Sequence, residues 1–546
     1  MSMVGGVFLI SAIPYWLFMA FGKPIFLQVT KIIHIILWVF VSMVEFSSIL
    51  LYKEWGTTLD NRAINYLLHP QEAWASVKDF VPFSVVFLGL LIFVSGLKRL
   101  TLLFEHWQPV KSHFIQSICF LVLSGPLAFL ILRGGWQKIP IKPSDAFYAQ
   151  DMRQKCSATN RVGYFLYSMK KSGKINTVHT DQEIEKYARQ YHDLQCIQSP
   201  SDSAWVDKNI VLIITEGWSA DMVAYLYGKE TVTPFFDSLS QHSIRFTNAF
   251  STGFRTDQGL ASILSGVPSM QSINVPNVLD KVQSLPSLPL AMKNSGRHTS
   301  FIYGGDLNFS NLFNYLTVLG FEKIIRDKDF DGNQLSTDWG VPDHITVAKA
   351  LEVVSAEKDK FFSTVLLLSS HSPFEVPVPN SFKGPTIVDK YKSSVMYSDY
   401  ALKVFFDQAQ TKPWFENTVF IITADHGSTH SGWAKVEDHN RFRIPLIVYD
   451  PSQPQKDSIH QTPCNHFDLP LTICQMTGVA DTSFVFSRNI FCNDVNQYAF
   501  WNVDVAFGKY GLKNQEITHE KSPNTASENE PLLFLDMVKK WFNQLK

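Results

Sequence analysis

Lys208-Asn209-Ile210-Val211-Leu212-Ile213-Ile214-Thr215-Glu216-Gly217-Trp218-Ser219 is an apolar run that breaks off in a carboxylate. Thr418-Val419-Phe420-Ile421-Ile422-Thr423-Ala424-Asp425-His426-Gly427 repeats the pattern two hundred residues later. Short continuous runs of Val, Ile, Leu and Phe read as strands buried on both faces, as in a parallel sheet. Functional groups in open α/β sheets gather beyond the carboxyl ends of the strands, so Glu216, Asp425 and His426 are expected to converge on one metal. From Trp205 onward the same alternation continues. Strands are expected at Ile210–Thr215, His298–Tyr303, Phe362–Leu368, Val419–Thr423 and Pro445–Tyr449, and helices at Thr233–His242 and Val388–Gln410. The expected fold is an α/β domain with a mostly parallel central sheet.

The chain has 546 residues, too many for one ordinary domain, and 48 Lys and Arg balance 49 Asp and Glu. That balance carries no nucleic-acid footprint. The excess apolar character lies before about residue 133. Four runs there are long enough to cross a hydrocarbon core: Met3–Phe21, Ile32–Tyr52, Phe80–Leu97 and Phe114–Leu132. Lys98, Arg99 and Lys111 fall between the third and fourth, whereas Lys53–Asp79 carries four acids against three bases. The basic loop is therefore expected on the cytoplasmic side and the soluble part outside. Arg133 and Lys138 count against this orientation, which also places the N-terminus outside and leaves room for an earlier spanning segment. Met1–Phe21 lacks the basic n-region of a signal peptide. Trp55–Pro70 mixes aromatic, apolar and polar residues as an interfacial helix would. Glu45, inside the second run, needs a partner or an interfacial position.

Four regions follow: 1–133 membrane segments with an interfacial helix, 134–204 a linker wrapping the catalytic domain, 205–512 the catalytic domain, and 513–546 a tail. In the linker, Gln182–His192 is the convincing helical patch. Lys513–Asn529 reads as polar and mobile, and Pro531–Leu545 as an amphipathic helix that packs on the domain or touches the membrane. Cys156, Cys196, Cys464, Cys474 and Cys492 lie in segments placed outside, where one or two disulfides are expected and no metal knuckle is spaced.

Glu216-Gly217-Trp218-Ser219, Phe254-Arg255-Thr256-Asp257, Ser370-His371-Ser372-Pro373-Phe374 and Ala424-Asp425-His426-Gly427 occur in an order that resembles the lipoteichoic acid synthase family of the alkaline phosphatase and sulfatase superfamily. Gly56–Pro70, Arg133-Gly134-Gly135-Trp136 and Asn160-Arg161-Val162-Gly163-Tyr164-Phe165 look like family segments too. The resemblance implies a multi-pass protein of a bacterial cytoplasmic membrane with its catalytic domain outside. It also implies one divalent cation on Glu216, Thr256, Asp425 and His426, with Thr256 as nucleophile. A Thr hydroxyl is a weak nucleophile that coordination activates, and a mixed oxygen and nitrogen set suits Mn2+ or Zn2+ better than Mg2+.

Arg255 has the fixed charge and fork geometry to meet phosphate oxygens. His371 matches the family His that stabilises the transferring phosphate or protonates a leaving oxygen. In Gly304–Asn311, Phe309 and Asn311 stand where the family has a Trp and an Arg against the glycerol phosphate head group, so the charged contact is lost here. His430 and His439 read as exposed loop histidines, with a second site or substrate binding as the alternative. The expected reaction moves a phosphoglycerol-type or phosphoethanolamine head group from a phospholipid to a glycan, polymer or lipid acceptor through a phosphothreonine. A hydrolase of the same superfamily and a non-catalytic lipid-binding protein are the alternatives. A sulfatase would need Cys or Ser in a Cys/Ser-x-Pro-x-Arg motif, which Arg255-Thr256-Asp257-Gln258-Gly259 lacks.

Overall fold

The computed structural model describes residues 15–17, 21, 24–55, 59, 83–106, 114–136, 160–171, 175, 177–193 and 204–545, excepting 271–272, 335–336, 338, 378–381, 383, 385, 429, 433–437, 454–457, 493–497, 504–505, 512–516 and 521–529. Two compact units divide at Gly173 and Lys174.

In the first unit, helices Pro24–Trp55, Phe83–His106 and Phe114–Arg133 follow from the second, third and fourth apolar runs. Ile25–Ile49 is long and apolar enough to cross a membrane, and Ile115–Ile131 is a shorter apolar helix. Met3–Phe21 and Trp55–Pro70 lie almost wholly outside the described residues. The first two helices interlock through glycine: a Cβ on Gly96 would come 2.1 Å from the Trp38 ring, and one on Gly89 would come 2.1 Å from Phe46. The reversed order of these pairs makes the helices antiparallel. Glu45 finds its partner in Arg161, whose Nη1 donates to Oε2 at 2.6 Å. Arg161 opens the helix Arg161–Lys171, which the linker reading does not include. Val162 and Phe165 of that helix pack with Val44 and Leu59.

The second unit contains β1 (Asn209–Thr215), β2 (Ile244–Phe246), β3 (Ala249–Phe250), β4 (His298–Tyr303), β5 (Lys323–Ile325), β6 (Phe361–Leu366), β7 (Thr418–Ala424), β8 (Leu446–Tyr449), β9 (Ile459–His460), β10 (Cys464–Asn465), β11 (Tyr498–Val503), β12 (Ala506–Gly511) and β13 (Ile517–Glu520). Eight form the main sheet, in the order β5-β4-β6-β1-β7-β8-β2-β9. The five from β5 to β7 run parallel, and β8 is antiparallel to both β7 and β2. All residues of β1 and β7 are buried, which is why both read as unbroken apolar runs. The long helix spans Ile387–Ala409, opened by a capping box between Thr386 and Asp389.

The polar stretch expected to be mobile contains β13, which pairs antiparallel with β12. Its β-branched Ile517 and Thr518 suit a strand, and the cross-strand partners were not readable from local polarity. The C-terminal helix Glu530–Gln544 packs on the domain: Leu532, Phe534, Leu535 and Val538 join the main core with Ile184, Tyr187 and Tyr191 of the helix Asp181–Asp193. The buried Asp536 carboxylate accepts from the backbone N–H of Val178 at 2.8 Å and of His179 at 2.9 Å. Cys492 is disulfide-bonded and Cys464 and Cys474 are free thiols, so the partner of Cys492 lies outside the described residues.

Asp468 and Arg488, each 1% exposed, form a two-point ion pair with Nη2···Oδ2 at 2.9 Å and Nε···Oδ1 at 3.2 Å. Removing one charge strands the other in a low dielectric. Asp468→Ala is expected to destabilise the second unit by about 3–5 kcal/mol, measurable by urea denaturation against the parent chain.

Candidate active site

Pairing of β1 with β7 places Thr215 opposite Ala424, and the Asp425 N–H donates to the Thr215 carbonyl at 3.0 Å. Glu216 and Asp425 therefore leave adjacent strand ends side by side. Gly217 turns the chain with φ of 60°, a left-handed conformation open to glycine at little cost. The turn is fixed from both sides. Tyr391 on the long helix donates its hydroxyl to the Gly217 carbonyl at 2.7 Å, and the Gly217 N–H donates to Asp425 Oδ1 at 2.8 Å.

Glu216, Asp425 and His426 each offer a ligand atom, and these atoms lie within 4.8 Å of one another. His426 Nε2 is 3.3 Å from Asp425 Oδ2 and 3.5 Å from Glu216 Oε1. Its Nδ1 stands 2.9 Å from the Gly427 carbonyl, which leaves Nε2 facing the carboxylates. Behind them the buried His466, its pKa held down to about 4 by burial, places Nε2 2.7 Å from the Ala424 carbonyl. Asp425 Oδ2 is buried with no hydrogen-bond partner. Burial, and then the neighbouring Asp425 carboxylate, push the Glu216 carboxyl well above the ordinary range. Two buried carboxylates, an orphaned oxygen and an aimed imidazole fit a divalent cation, whose charge would offset the repulsion.

Thr256 begins the helix Thr256–Ser265, with Oγ1 3.3 Å from Glu216 Oε2. A helix N-terminus with unpaired N–H groups favours phosphate oxygens. The helix lies against the ligand strand: a Cβ on Gly259 would fall 2.3 Å from the Asp425 carbonyl. Arg255 Nε donates to Asp257 Oδ1 at 3.1 Å, and the Arg255 side chain remains 39% exposed. His371 follows β6. Its Nδ1 is 2.8 Å from the Ser372 carbonyl, Trp339 covers the ring with centroids 3.7 Å apart, and burial lowers its pKa.

These groups line one cleft of about 480 Å³, which brings Glu216, Arg255, Thr256, His371 and His426 together. Asn311 is placed elsewhere. It is buried, and Nδ2 donates to the Pro276 carbonyl at 2.5 Å, while its neighbours Ser310 and Leu312 line the cleft. The Phe309 side chain lies outside the described residues. His430, read as a loop histidine, lines the cleft, whereas His439 stacks on Tyr510 with centroids 5.8 Å apart. Asn274 and Ser428 also line it with no motif to mark them, and Ser370 and Phe374 line it from the Ser370–Phe374 stretch.

In Gly259→Ala, better helix propensity competes with a contact that backbone cannot relieve. The variant is expected to bind Mn2+ at least tenfold more weakly than the parent, by calorimetry, because the helix must move off Asp425. Mn2+ is expected to raise the melting temperature of the parent and to leave that of Glu216→Gln unchanged.

Residues 208–479 match the sulfatase family. Lipoteichoic acid synthase 1 of Bacillus subtilis (strain 168) is 23% identical over 354 residues, which cover 59% of this chain and 54% of the relative. The chain thus spans about half the length of the curated relatives it matches. A protein in the alkaline phosphatase superfamily from Vibrio parahaemolyticus superposes with a TM-score of 0.57 at 24% identity, over 67% of this chain and 96% of that one. The lipoteichoic acid synthase LtaP from Listeria monocytogenes does so with a TM-score of 0.55 at 18% identity, over 66% and 98%. The fold is common to all three. Residues 208–479 of this chain form a sulfatase-family domain, and the chain is homologous to the lipoteichoic acid synthases.

Proposed function

We propose that the chain is a membrane-bound phosphotransferase that moves a phosphoglycerol-type head group, or phosphoethanolamine, from a phospholipid to a glycan, polymer or lipid acceptor. The observation that carries this reading is the Thr256 hydroxyl at a helix N-terminus, 3.3 Å from Glu216 and in one cleft with His371 and His426. Glu216, Thr256, Asp425 and His426 would hold one divalent cation, Mn2+ or Zn2+ by donor type. When bound, the cation would lower the Thr256 hydroxyl pKa and offset charge on the phosphate.

Thr256 Oγ1 attacks the head-group phosphorus, and the bond from phosphorus to the diacylglycerol oxygen breaks. The departing oxygen gains the proton that Thr256 gives up. With Nδ1–H donated to the Ser372 carbonyl, His371 carries that proton on Nε2. Arg255 and the N–H groups at the start of the Thr256 helix hold the phosphate oxygens. An acceptor hydroxyl then attacks the phosphothreonine, and the proton returns to Thr256. Water in the acceptor's place would give a phosphodiesterase with the same first step.

A lipid donor accounts for the attached membrane unit. Ile32, Ile36, Met43, Phe87, Leu91, Leu123 and Leu127 expose their side chains, as lipid-facing positions do. Two antiparallel helices interlocked at glycine support a multi-pass arrangement. The disulfide at Cys492 supports a catalytic domain outside the cytoplasm.

Intact-mass and peptide spectrometry after incubation with Mn2+ and phosphatidylglycerol, or phosphatidylethanolamine, tests this. A mass increment on the Thr256 peptide is expected, sized to the head group and absent in Thr256→Ala. Lipid left unconsumed by metal-loaded protein would sink the transferase reading.

A further inference from the structure

Trp339-Gly340-Val341-Pro342-Asp343 leads into the helix Asp343–Ser355 and grips the segment that carries His371 at both ends. Asp343 holds the near end. Its carboxylate is buried: Oδ1 accepts from the Leu368 N–H at 2.8 Å and the Ser369 N–H at 3.1 Å, and the Asp343 N–H donates back to Ser369 Oγ at 3.1 Å. Oδ2 accepts from Ser398 on the long helix at 2.5 Å, and Ser398 Oγ stands 3.2 Å from Ser370 Oγ. A carboxylate only accepts, so the Ser398 hydrogen goes to Asp343 and Ser370 donates to Ser398. The His371 N–H in turn donates to the Leu368 carbonyl at 3.0 Å. Every residue from Leu368 to His371 is thus tied, directly or through one neighbour, to one carboxylate.

Trp339 holds the far end. Its Nε1–H donates to the Ser372 carbonyl at 2.7 Å, and that same carbonyl stands 2.8 Å from His371 Nδ1. A carbonyl only accepts, so Nδ1 carries the proton of that bond and Nε2 is left to take or give another. Trp339 therefore fixes the acceptor that sets the His371 tautomer, and its ring lies against the imidazole with centroids 3.7 Å apart. Between the two ends, the Val341 N–H donates to the Gly304 carbonyl at 2.9 Å, which anchors the segment just beyond β4.

Starting a helix does not require this arrangement, since a neutral Ser, Thr or Asn would cap it without the cost of burying a charge. Burial raises the pKa of the Asp343 carboxyl, and the bonds from Leu368, Ser398 and Ser369 oppose that rise. Among the described residues it is met by N–H and O–H donors alone, all of them on the His371 segment except Ser398, which reaches Ser370. Bonds to a charged acceptor are stronger than bonds to a neutral one, and here that strength goes into the backbone beside the cleft. We infer that Asp343 and Trp339 are positioning residues for His371, a brace that holds its ring at the cleft and sets its tautomer. This rests on the reading of His371 as the group that carries the leaving proton. Displacing such a group by about 1 Å costs on the order of 100-fold in rate.

The probe is diethyl pyrocarbonate, which acylates accessible neutral imidazoles, applied at neutral pH to the full chain in detergent. Peptide mass spectrometry reads His371 against the buried His466. Trp339→Leu and Asp343→Ala are each expected to raise the acylation rate of His371 severalfold and to leave His466 unreactive. Asp343→Asn, whose amide oxygen can still accept the Leu368 and Ser369 N–H groups, is expected to behave as the parent. Acylation of His371 at the parent's rate in both disruptive variants would overturn the proposal. So would a His466 that becomes reactive in step with His371 in both, which would mark the two residues as supports of the whole fold. Should Asp343→Ala fail to fold, Trp339→Leu, which removes a half-buried side chain, decides alone.

The same variants are then incubated with Mn2+ and phosphatidylglycerol or phosphatidylethanolamine. At saturating lipid, formation of the Thr256 adduct is expected to slow about tenfold or more in Trp339→Leu and Asp343→Ala, with the half-saturating lipid concentration unchanged, and to recover in Asp343→Asn. An adduct rate equal to the parent's in a variant whose His371 has become reactive would also overturn the proposal. If the parent forms no adduct with either lipid, the transfer reading fails while the acylation rates still decide on the brace.

Discussion

Two carboxylates held next to each other in the dry interior of a protein repel, and the main sheet is built to keep them there. The Thr215–Ala424 pairing sets Glu216 beside Asp425, and the backbone bond from Asp425 to Thr215 prevents a slip in register. A one-residue slip of β7 along β1 would carry Asp425 to the face away from Glu216. The Tyr391 clamp on Gly217 and the contact of Gly259 with the Asp425 carbonyl close the other routes of relaxation. Much of the architecture around β1 and β7 thus works against a repulsion that a bound cation would relieve.

The strands that carry the site were legible because burial on both faces leaves a run of apolar residues with an abrupt polar end. The ligands were legible for the same reason, since Glu216 and Asp425-His426 are where those runs stop. What local sequence does not encode is partnership. Glu45 reads as an anomaly until Arg161, 116 positions away, is brought to it. The strand Ile517–Glu520 is hidden in a polar stretch until β12 lies alongside, and the antiparallel course of β8 has no signature in four apolar residues. The position of Asn311 in its motif points to the head group. A left-handed backbone with φ of 64° and the Pro276 carbonyl turn it away.

The cleft also draws on residues that no motif marks. Asn274, Ser428 and His430 come from loops, whose conformation depends on what they pack against more than on their own composition. Trp339, far from His371 in sequence, covers its ring and donates to the Ser372 carbonyl at 2.7 Å. Glu216, Asp425 and His426 sit at strand ends, where sequence displays them. The features that would distinguish one substrate from another sit in surfaces that only the folded chain assembles.

The clasp between the last helix and the segment before β1 bears on how the catalytic part can be isolated. Asp536 receives two N–H groups from Val178 and His179, and Phe534 stacks on Phe500 with centroids 3.8 Å apart and nearly parallel rings. A fragment cut where the sulfatase match begins, at residue 208, would lose Tyr187 and Tyr191 and bare the apolar side of the helix Glu530–Gln544 to water. Such a fragment would be prone to self-association. One started at Lys174 and carried through to the C-terminus keeps both halves of the clasp, and is the piece of this chain suited to expression in soluble form.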